Sequence, residues 1–293
     1  MGFRYGITTK VHFFLNMKHQ ILTTTLALLG AGLFAHTATA GTTSAKAPVA
    51  PAEAPASPSF FLAIGYDTAY IFHGYRVATQ MIDLEHSGTI PLTFISDKLS
   101  FTYDFWYTNS LGHGITPAFT HSYNELDFTG TLTYSPTKWL DVNVGYLTYY
   151  FNGGRDLPQE HNVISSLVFH MLTKDADKHV PDLTFTLGYL YDATFFSHYA
   201  NATLAASYDV NSWLSLEPSA NLGYGVDYYY ARPRKARQHG LHDLTLQLKT
   251  PIKFTKNLSL LPYIQESIAL DALHKFGGAK NYLTGGAYLK YTF

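Results

Sequence analysis

The sequence of 293 residues contains no cysteine. This absence excludes disulfide bonds, thiolate catalysis and metal sites with cysteine ligands. Charged residues are also scarce: Asp, Glu, Lys and Arg make up 14% of the chain, and the formal net charge is −1. Nucleic-acid binding requires a strongly basic surface, so we expect no nucleic-acid partner.

Long apolar runs are missing beyond the N-terminal region, where no stretch is long enough to form a membrane-spanning helix. Only helices and closed barrels satisfy their backbone hydrogen bonds in lipid. If the mature chain lies in a membrane, we therefore expect it to cross as strands.

The N-terminal region has the pattern of a secretory signal peptide. Lys18 precedes an apolar segment at 21–34, and Ala38, Thr39 and Ala40 form a small-x-small cleavage site. We predict a cleaved signal peptide over residues 1–40, with an uncleaved anchor as the alternative. Residues 41–58 are rich in Ala, Pro, Ser and Thr, which predicts a disordered periplasmic tether before a barrel over residues 59–293.

The sequence is rich in aromatic residues, with 23 Tyr and 20 Phe, and in segments where apolar and polar residues alternate. In the segment 99–109, for example, Phe101 and Phe105 alternate with Thr102 and Asp104. A period of two separates the two faces of a strand, and a lipid-facing wall with a polar interior has this pattern. We predict an all-β transmembrane, antiparallel, up-and-down barrel of about twelve strands, at 60–72, 84–95, 99–109, 123–134, 139–151, 161–172, 182–192, 199–210, 213–226, 241–250, 258–270 and 281–293.

Two of these segments fit the pattern less well. The segment 161–172 is apolar on both faces, and 258–270 places Glu266 in register with its apolar face. A β-bulge in the second segment would turn Glu266 to the other face.

The predicted connections alternate between mostly short and mostly long. The short ones are at 96–98, 135–138, 173–181, 211–212 and 251–257, and the long ones at 73–83, 110–122, 152–160, 193–198, 227–240 and 271–280. Outer-membrane barrels have short periplasmic turns on one rim and longer extracellular loops on the other. The alternation therefore predicts which rim faces the cell exterior.

The final strand-like segment runs to Phe293. In a closed barrel the last strand pairs with the first, so neither edge is left unpaired. Tyr291 and Phe293 also resemble the C-terminal signal by which bacterial outer-membrane proteins reach their insertion machinery, which we expect as a partner during biogenesis.

Several strands carry motifs that resemble a known family. The segments "YDTAYIFHGYRV" (66–77), "GYLTYYFNG" (145–153) and "ASYDVNSWLSLEPSANLGYG" (206–225) look like a family of Gram-negative outer-membrane proteins of unassigned function. The first strand of that family typically reads Asp-Tyr-x-Phe-Arg-Gly. Here His73 stands where the family usually has Arg, and Arg76 is a possible substitute. The resemblance implies a barrel in the outer membrane and no particular activity.

Placing the apolar set toward lipid turns a largely acidic set of side chains into the lumen. A ring of carboxylates favours cations over anions in a water-filled pore. The alternative is that these groups form hydrogen-bonded networks that plug a narrow lumen. The predicted lumen residues are Asp67, Glu85, Asp104, Glu125, Asp127, Asp141, Asn143, Asp209, Glu217, Asp243 and Gln247, with Lys249 and Lys290 as inward cations.

No catalytic, cofactor or metal motif is present in the sequence. One membrane barrel places its nucleophile and base in a His-x-Ser pair. No histidine of this sequence, including His86, His121 and His161, has a serine two positions after it. We therefore expect neither an enzyme nor a bound cofactor or metal.

The strongest charge cluster lies on a predicted external loop, with Arg232, Arg234, Lys235 and Arg237. Guanidinium groups suit phosphate geometry, so this loop is a candidate contact for outer-leaflet lipopolysaccharide. A solvated loop is the alternative. The sequence as a whole predicts a narrow channel for small polar or cationic solutes. The alternative is a closed barrel that serves as a structural or surface-interaction module.

Overall fold

The protein is described by a computed structural model over residues 57–112, 123–151, 159–173, 180–228, 238–277 and 281–293. The predicted signal peptide and residues 41–56 of the predicted tether lie outside these ranges. Residues 57 and 58, at the end of the tether, are exposed.

The described residues form thirteen strands and one short helix. Their bounds are β1 (Ser59–Phe72), β2 (Tyr75–Pro91), β3 (Leu99–Ser110), β4 (Asn124–Thr137), β5 (Leu140–Phe151), β6 (Glu160–Leu172), β7 (Asp182–Asp192), β8 (Ser197–Asp209), β9 (Ser215–Tyr228), β10 (Gln238–Lys249), β11 (Ile252–Lys253), β12 (Leu258–Ala269), α1 (Asp271–Gly277) and β13 (Tyr282–Thr292).

Twelve of these strands close into one barrel. Strands β1 to β10 pair with their neighbours in chain order, β13 pairs with both β1 and β12, and β10 pairs with β12 to complete the ring. All of these pairings are antiparallel. The two-residue β11 is an additional strand on the edge of β12. The predicted twelve-stranded antiparallel barrel is therefore confirmed.

Side chains alternate between an apolar outer wall and a largely polar inner wall. On β3, Phe105 and Tyr107 are exposed, whereas Trp106 and Thr108, which alternate with them, are buried. Strand β6 follows the same rule although both of its faces looked apolar: Val163 and Met171 are exposed, and Ser166 is buried. An apolar outer wall on a closed barrel is the surface that lipid requires.

Strand β12 corrects one detail of the prediction. Glu266 pairs with Leu246 of β10 and Leu283 of β13 without any shift in register, so the expected bulge is absent. Glu266 is exposed on the outer wall, beside Ile264.

The connection between β1 and β2 is a second correction. The predicted long loop at 73–83 is a two-residue turn, His73 and Gly74, and β2 begins at Tyr75. Both turn residues have positive φ, 43° for His73 and 81° for Gly74. The tight turn lies on the rim that carries the other, longer connections, including the one with α1.

No helix among the described residues is both long enough and apolar enough to cross a membrane.

Candidate functional site

The inner wall of the barrel is the candidate functional site, because alternation brings most of the polar side chains there. Buried inward residues include Asp67, Glu85, Asn143, Asp243 and Lys249. These groups come from strands all around the ring, so closure of the barrel brings together residues that are far apart in sequence.

A buried carboxylate network lies where β1 meets β13. Asp67 accepts hydrogen bonds from the hydroxyls of Tyr263 and Tyr288, and Tyr288 also reaches Asp83 at 3.1 Å. Hydrogen bonds to carboxylates are stronger than those between neutral groups. The network joins β1, β2, β12 and β13 and thus ties the two ends of the barrel together.

Two glycines make room for these tyrosines. A Cβ on Gly65 would lie 2.3 Å from ring atoms of Tyr288, and one on Gly286 would lie 2.1 Å from a carboxylate oxygen of Asp67. Side chains cannot approach so closely, so each glycine is required by the ring or carboxylate packed across it.

Two lysines share the lumen with these carboxylates. Lys249 is buried within electrostatic range of Glu217, Glu85 and Asp67. Lys290 places its ammonium group 3.7 Å from the ring centroid of Phe61, a cation–π contact. Among the described strand residues these are the inward lysines, so the lumen retains an excess of carboxylates.

Hydrogen-bonded pairs between neighbouring strands cover the part of the inner wall nearer the short turns. The hydroxyl of Ser135 donates to Asp141 at 2.6 Å, and Nε2 of His170 lies 2.9 Å from the other oxygen of Asp141. Ser215 donates to Asp209 at 2.6 Å. Each pair satisfies polar groups along the wall, and such contacts suit both a lined channel and a networked interior.

A second group of carboxylates lies toward the long-loop rim. Glu125, Asp127 and Glu160 are buried there, and the hydroxyl of Tyr123 donates to Glu125. Asp192 has a structural role, because one of its oxygens accepts from the backbone N–H groups of Thr194 at 2.8 Å and of Phe195 at 3.0 Å. It thereby holds the turn between β7 and β8. Among the described residues no group of three or more His, Asp or Glu is arranged to hold a metal ion.

An apolar cluster fills the lumen at the same rim. It joins side chains of the β1–β2 hairpin to inward residues of β3, β5, β6, β7 and β8. In the described part of the sheet the hairpin pairs with β3 and β13, so the contact of its turn with Tyr199 of β8 reaches across the lumen. The cluster contains Tyr70, Phe72, Val77, Ala78, Met81, Trp106, Tyr123, Leu147, Tyr149, Ile164, Leu190 and Tyr199.

Backbone irregularities accompany this inward bend of the hairpin. The pairing of β1 with β2 shifts register between Tyr70 and Ile71, and Gln80 has a positive φ of 56°. Bulges of this kind bend a strand pair and increase its twist. Both faces of the strand are buried beyond this point, since Tyr70, Ile71 and Phe72 are all inaccessible.

The predicted lumen residues all lie on strands of the barrel, at different depths of burial. Asp67, Glu85, Glu125, Asp127, Asn143, Asp243, Gln247 and Lys249 are buried, whereas Asp104, Asp141, Asp209, Glu217 and Lys290 are partly buried. Their role in lining a solute path stays a prediction. Tyr291 and Phe293 are exposed on the outer wall. The basic loop with Arg232, Arg234, Lys235 and Arg237 lies outside the described residues.

Four buried carboxylates were missed by the sequence reasoning: Asp83, Glu160, Asp182 and Asp192. Each lies at the edge of a predicted strand or in a segment read as a loop. The phase of the alternation could have found Glu160, because Asn162, Ile164 and Ser166 follow it at every second position on the inner face. The same phase indicates Asp83, because Glu85 and Ser87 follow it at every second position on the inner face. Asp83 was missed because the irregular stretch around Gln80 precedes it and 73–83 was predicted as a loop.

Comparisons with known proteins give a likeness in fold. No family model and no curated protein matches the sequence. Among solved structures, an outer membrane channel from Pseudomonas putida F1 is 10% identical, with a TM-score of 0.51 over 88% of this chain and 100% of that chain. LpxR from Salmonella typhimurium is 11% identical, with a TM-score of 0.52 over 80% of this chain and 99% of that chain.

At these identities the likeness concerns architecture alone. The resemblance of the first strand to a particular family, and the expectation that the protein is not an enzyme, stay predictions. The chain has the fold of an outer-membrane β-barrel.

Proposed function

We propose that the protein is a channel of the bacterial outer membrane that passes small polar solutes and favours cations. The observation that supports this proposal best is the inner wall, where carboxylates from most strands outnumber the inward lysines of the described residues. Carboxylates that line a water-filled path attract cations and repel anions. The apolar outer wall and the fold support an outer-membrane location.

The test is the reversal potential of single channels in a planar bilayer under a potassium chloride gradient, recorded between about pH 4.5 and about pH 7.5. Protein purified from membranes should select for potassium. Asp104→Asn on the inner wall of β3 should move the reversal potential toward zero, because it removes a charge from the path. Asp97→Asn, in an exposed turn, is the matched control and should leave the potential unchanged.

A barrel that is folded but silent at every pH, or one that selects for chloride, would contradict the proposal. Folding is checked independently by the slower electrophoretic migration that barrels show after heating. For a silent barrel to count against the channel, variants with a loosened outer mouth must also fail to conduct. Otherwise a closed channel would be mistaken for a solid barrel.

A closed barrel that serves as a structural or surface-interaction module is the second candidate. The apolar cluster across the lumen favours this second candidate, because apolar side chains packed in the lumen exclude water and polar solutes alike. Contact of the basic loop with phosphates of lipopolysaccharide belongs to this candidate. The same recordings separate the two, since only a channel conducts.

A further inference from the structure

We propose that the tip of the β1–β2 hairpin, residues 70–78, is a gate inside the outer mouth of the barrel, and that acidification opens it through His73. This inference rests on the proposed channel function. It adds a closed state, an open state and the signal that converts one into the other.

His73 holds the hairpin tip against the opposite wall. Its ring stacks on Tyr199 of β8, with a centroid distance of 3.7 Å and an interplanar angle of 7°, and on Phe72 at 4.1 Å. Strands β13, β12, β10 and β9 separate β1 from β8 on one side of the ring, and β2 to β7 on the other. The hairpin tip therefore spans the lumen.

Gly74 is packed tightly against two further elements of the same rim, α1 and β10. A Cβ at this position would lie 2.4 Å from Leu273 of α1 and 2.9 Å from Cβ of Asp243 on β10. The turn thus fits between β8, β10 and α1 with no room to spare. In this position it closes the lumen from one wall to the other.

The contacts that hold the tip differ from those that hold the base of the hairpin. At the base, β1 and β2 are locked into continuous ladders with β13 and β3. At the tip, ring stacking reaches β8 and apolar packing of Tyr75 reaches α1, and among the described strands no ladder joins the hairpin to β8 or β10. Release of the tip therefore breaks no ladder of the barrel.

The surroundings of His73 favour its neutral form. Among the described residues, the titratable groups that face it are His242 and Asp243 of β10 and Tyr199 of β8. Tyr75 of β2 packs against His242, and α1 contributes Leu273 and exposes Asp271 and His274 to solvent. Burial lowers the pKa of His73 to about 3, and this effect outweighs the attraction of Asp243. Asp243 is itself engaged by the hydroxyl of Tyr199 at 2.8 Å.

Protonation of His73 favours the open state, because the released side chain binds a proton more readily than the packed one. A released His73 would bind a proton near its ordinary pKa of 6.5, whereas the packed His73 binds one only near pH 3. The closed state is thus fully stable above about pH 6.5 and loses stability as the pH falls toward 3. At about pH 4.5 the ratio of open to closed molecules should rise about 100-fold relative to neutral pH.

Thiol labelling tests this movement without depending on conductance, because the chain has no native cysteine. Ala78 is fully buried in the cluster, so Ala78→Cys reports release of the tip. Its rate with a water-soluble maleimide is divided at each pH by the rate of Lys256→Cys, which lies in an exposed turn. We expect the relative rate to rise at least about tenfold between about pH 7.5 and about pH 4.5.

Replacement of the sensor should abolish this response. In Ala78→Cys combined with His73→Phe, the aromatic ring can still stack but cannot bind a proton, so the thiol should stay protected at low pH. His73→Tyr gives the same readout if the Phe variant folds poorly. His274→Phe, on the exposed side of α1, is the matched control and should keep the acid response.

The outcomes separate the gate from the channel. Acid-dependent labelling without current at any pH would retain the movement and overturn the channel. Two results would overturn the gate and leave the channel in place, provided that current flows at all pH values. One is a labelling rate that does not change with pH, and the other is an acid response of labelling that survives in both His73 variants.

Discussion

Among single residues, one glycine determines how β1 packs against β13. Gly65→Ala would place a methyl group 2.3 Å from the ring of Tyr288, which is itself buried. The ring must move, and its hydrogen bonds to Asp67 and Asp83 should weaken. We expect the free energy of unfolding to fall by about 1–3 kcal/mol, measured by denaturant unfolding of the barrel in detergent micelles.

Gly130→Ala on β4 is the control for this change. It also adds a methyl group in mid-strand, but its nearest neighbour is Phe101 at 3.5 Å, an ordinary contact. Equal stability of the two variants would show that Tyr288 does not need the space above Gly65.

Single residues also show what the sequence could reveal about the site. The inward direction of Asp67 follows from the alternation in β1, and the structure places it on the inner wall. Its partners Tyr263 and Tyr288 lie 196 and 221 positions away. Periodicity describes one strand at a time, so it cannot indicate which side chains meet when the barrel closes.

At the scale of the element, β12 carries a carboxylate on its lipid-facing side. Glu266 is exposed between Leu246 and Leu283 of the flanking strands, three positions from the end of β12 at the long-loop rim. A basic group on the outer wall costs about 0–1 kcal/mol near the interface, and an acidic group costs less than a basic one. We expect Glu266→Leu to raise the free energy of unfolding in lipid vesicles by up to about 1 kcal/mol.

Asp97→Leu is a suitable control, because Asp97 is exposed in the turn before β3, outside the strands. It should leave the stability unchanged in vesicles. A loss of stability in Glu266→Leu would instead show that the carboxylate makes a favourable contact in the membrane.

The hairpin shows why one element was misread. The stretch 73–83 was predicted as a loop, and in it Val77 and Ala78 are both apolar and Gln80 follows out of phase. In the structure both neighbours are buried and Gln80 has a positive φ, so the strand continues while its period breaks. A segment that packs on both faces has no reason to alternate.

At the scale of the whole molecule, the sequence predicted the wall better than the interior. Twelve segments, most of them alternating, and two kinds of connection were sufficient to predict a closed barrel, since an even number of strands places both ends on one rim. What fills the lumen depends on contacts across the ring, such as His73 with Tyr199, which no local pattern encodes.

The balance of charge across the lumen is likewise a property of the whole barrel, and Lys249 tests it. This lysine is buried among Glu217, Glu85 and Asp67, which come from β9, β2 and β1. Lys249→Gln removes a cation and leaves buried carboxylates without it, so the free energy of unfolding should fall by about 3 kcal/mol. In an open channel the same variant should favour cations more strongly, because the net charge of the path becomes more negative.

Both effects are measured on the same preparations, by denaturant unfolding and by reversal potential at the pH where currents are largest. Lys253→Gln, on the exposed β11, changes the net charge of the protein equally without altering the inner wall. It should match the wild type in both measurements. If Lys249→Gln lost stability without a change in selectivity, the lysine would belong to a closed network; a change in both would place it beside the solute path.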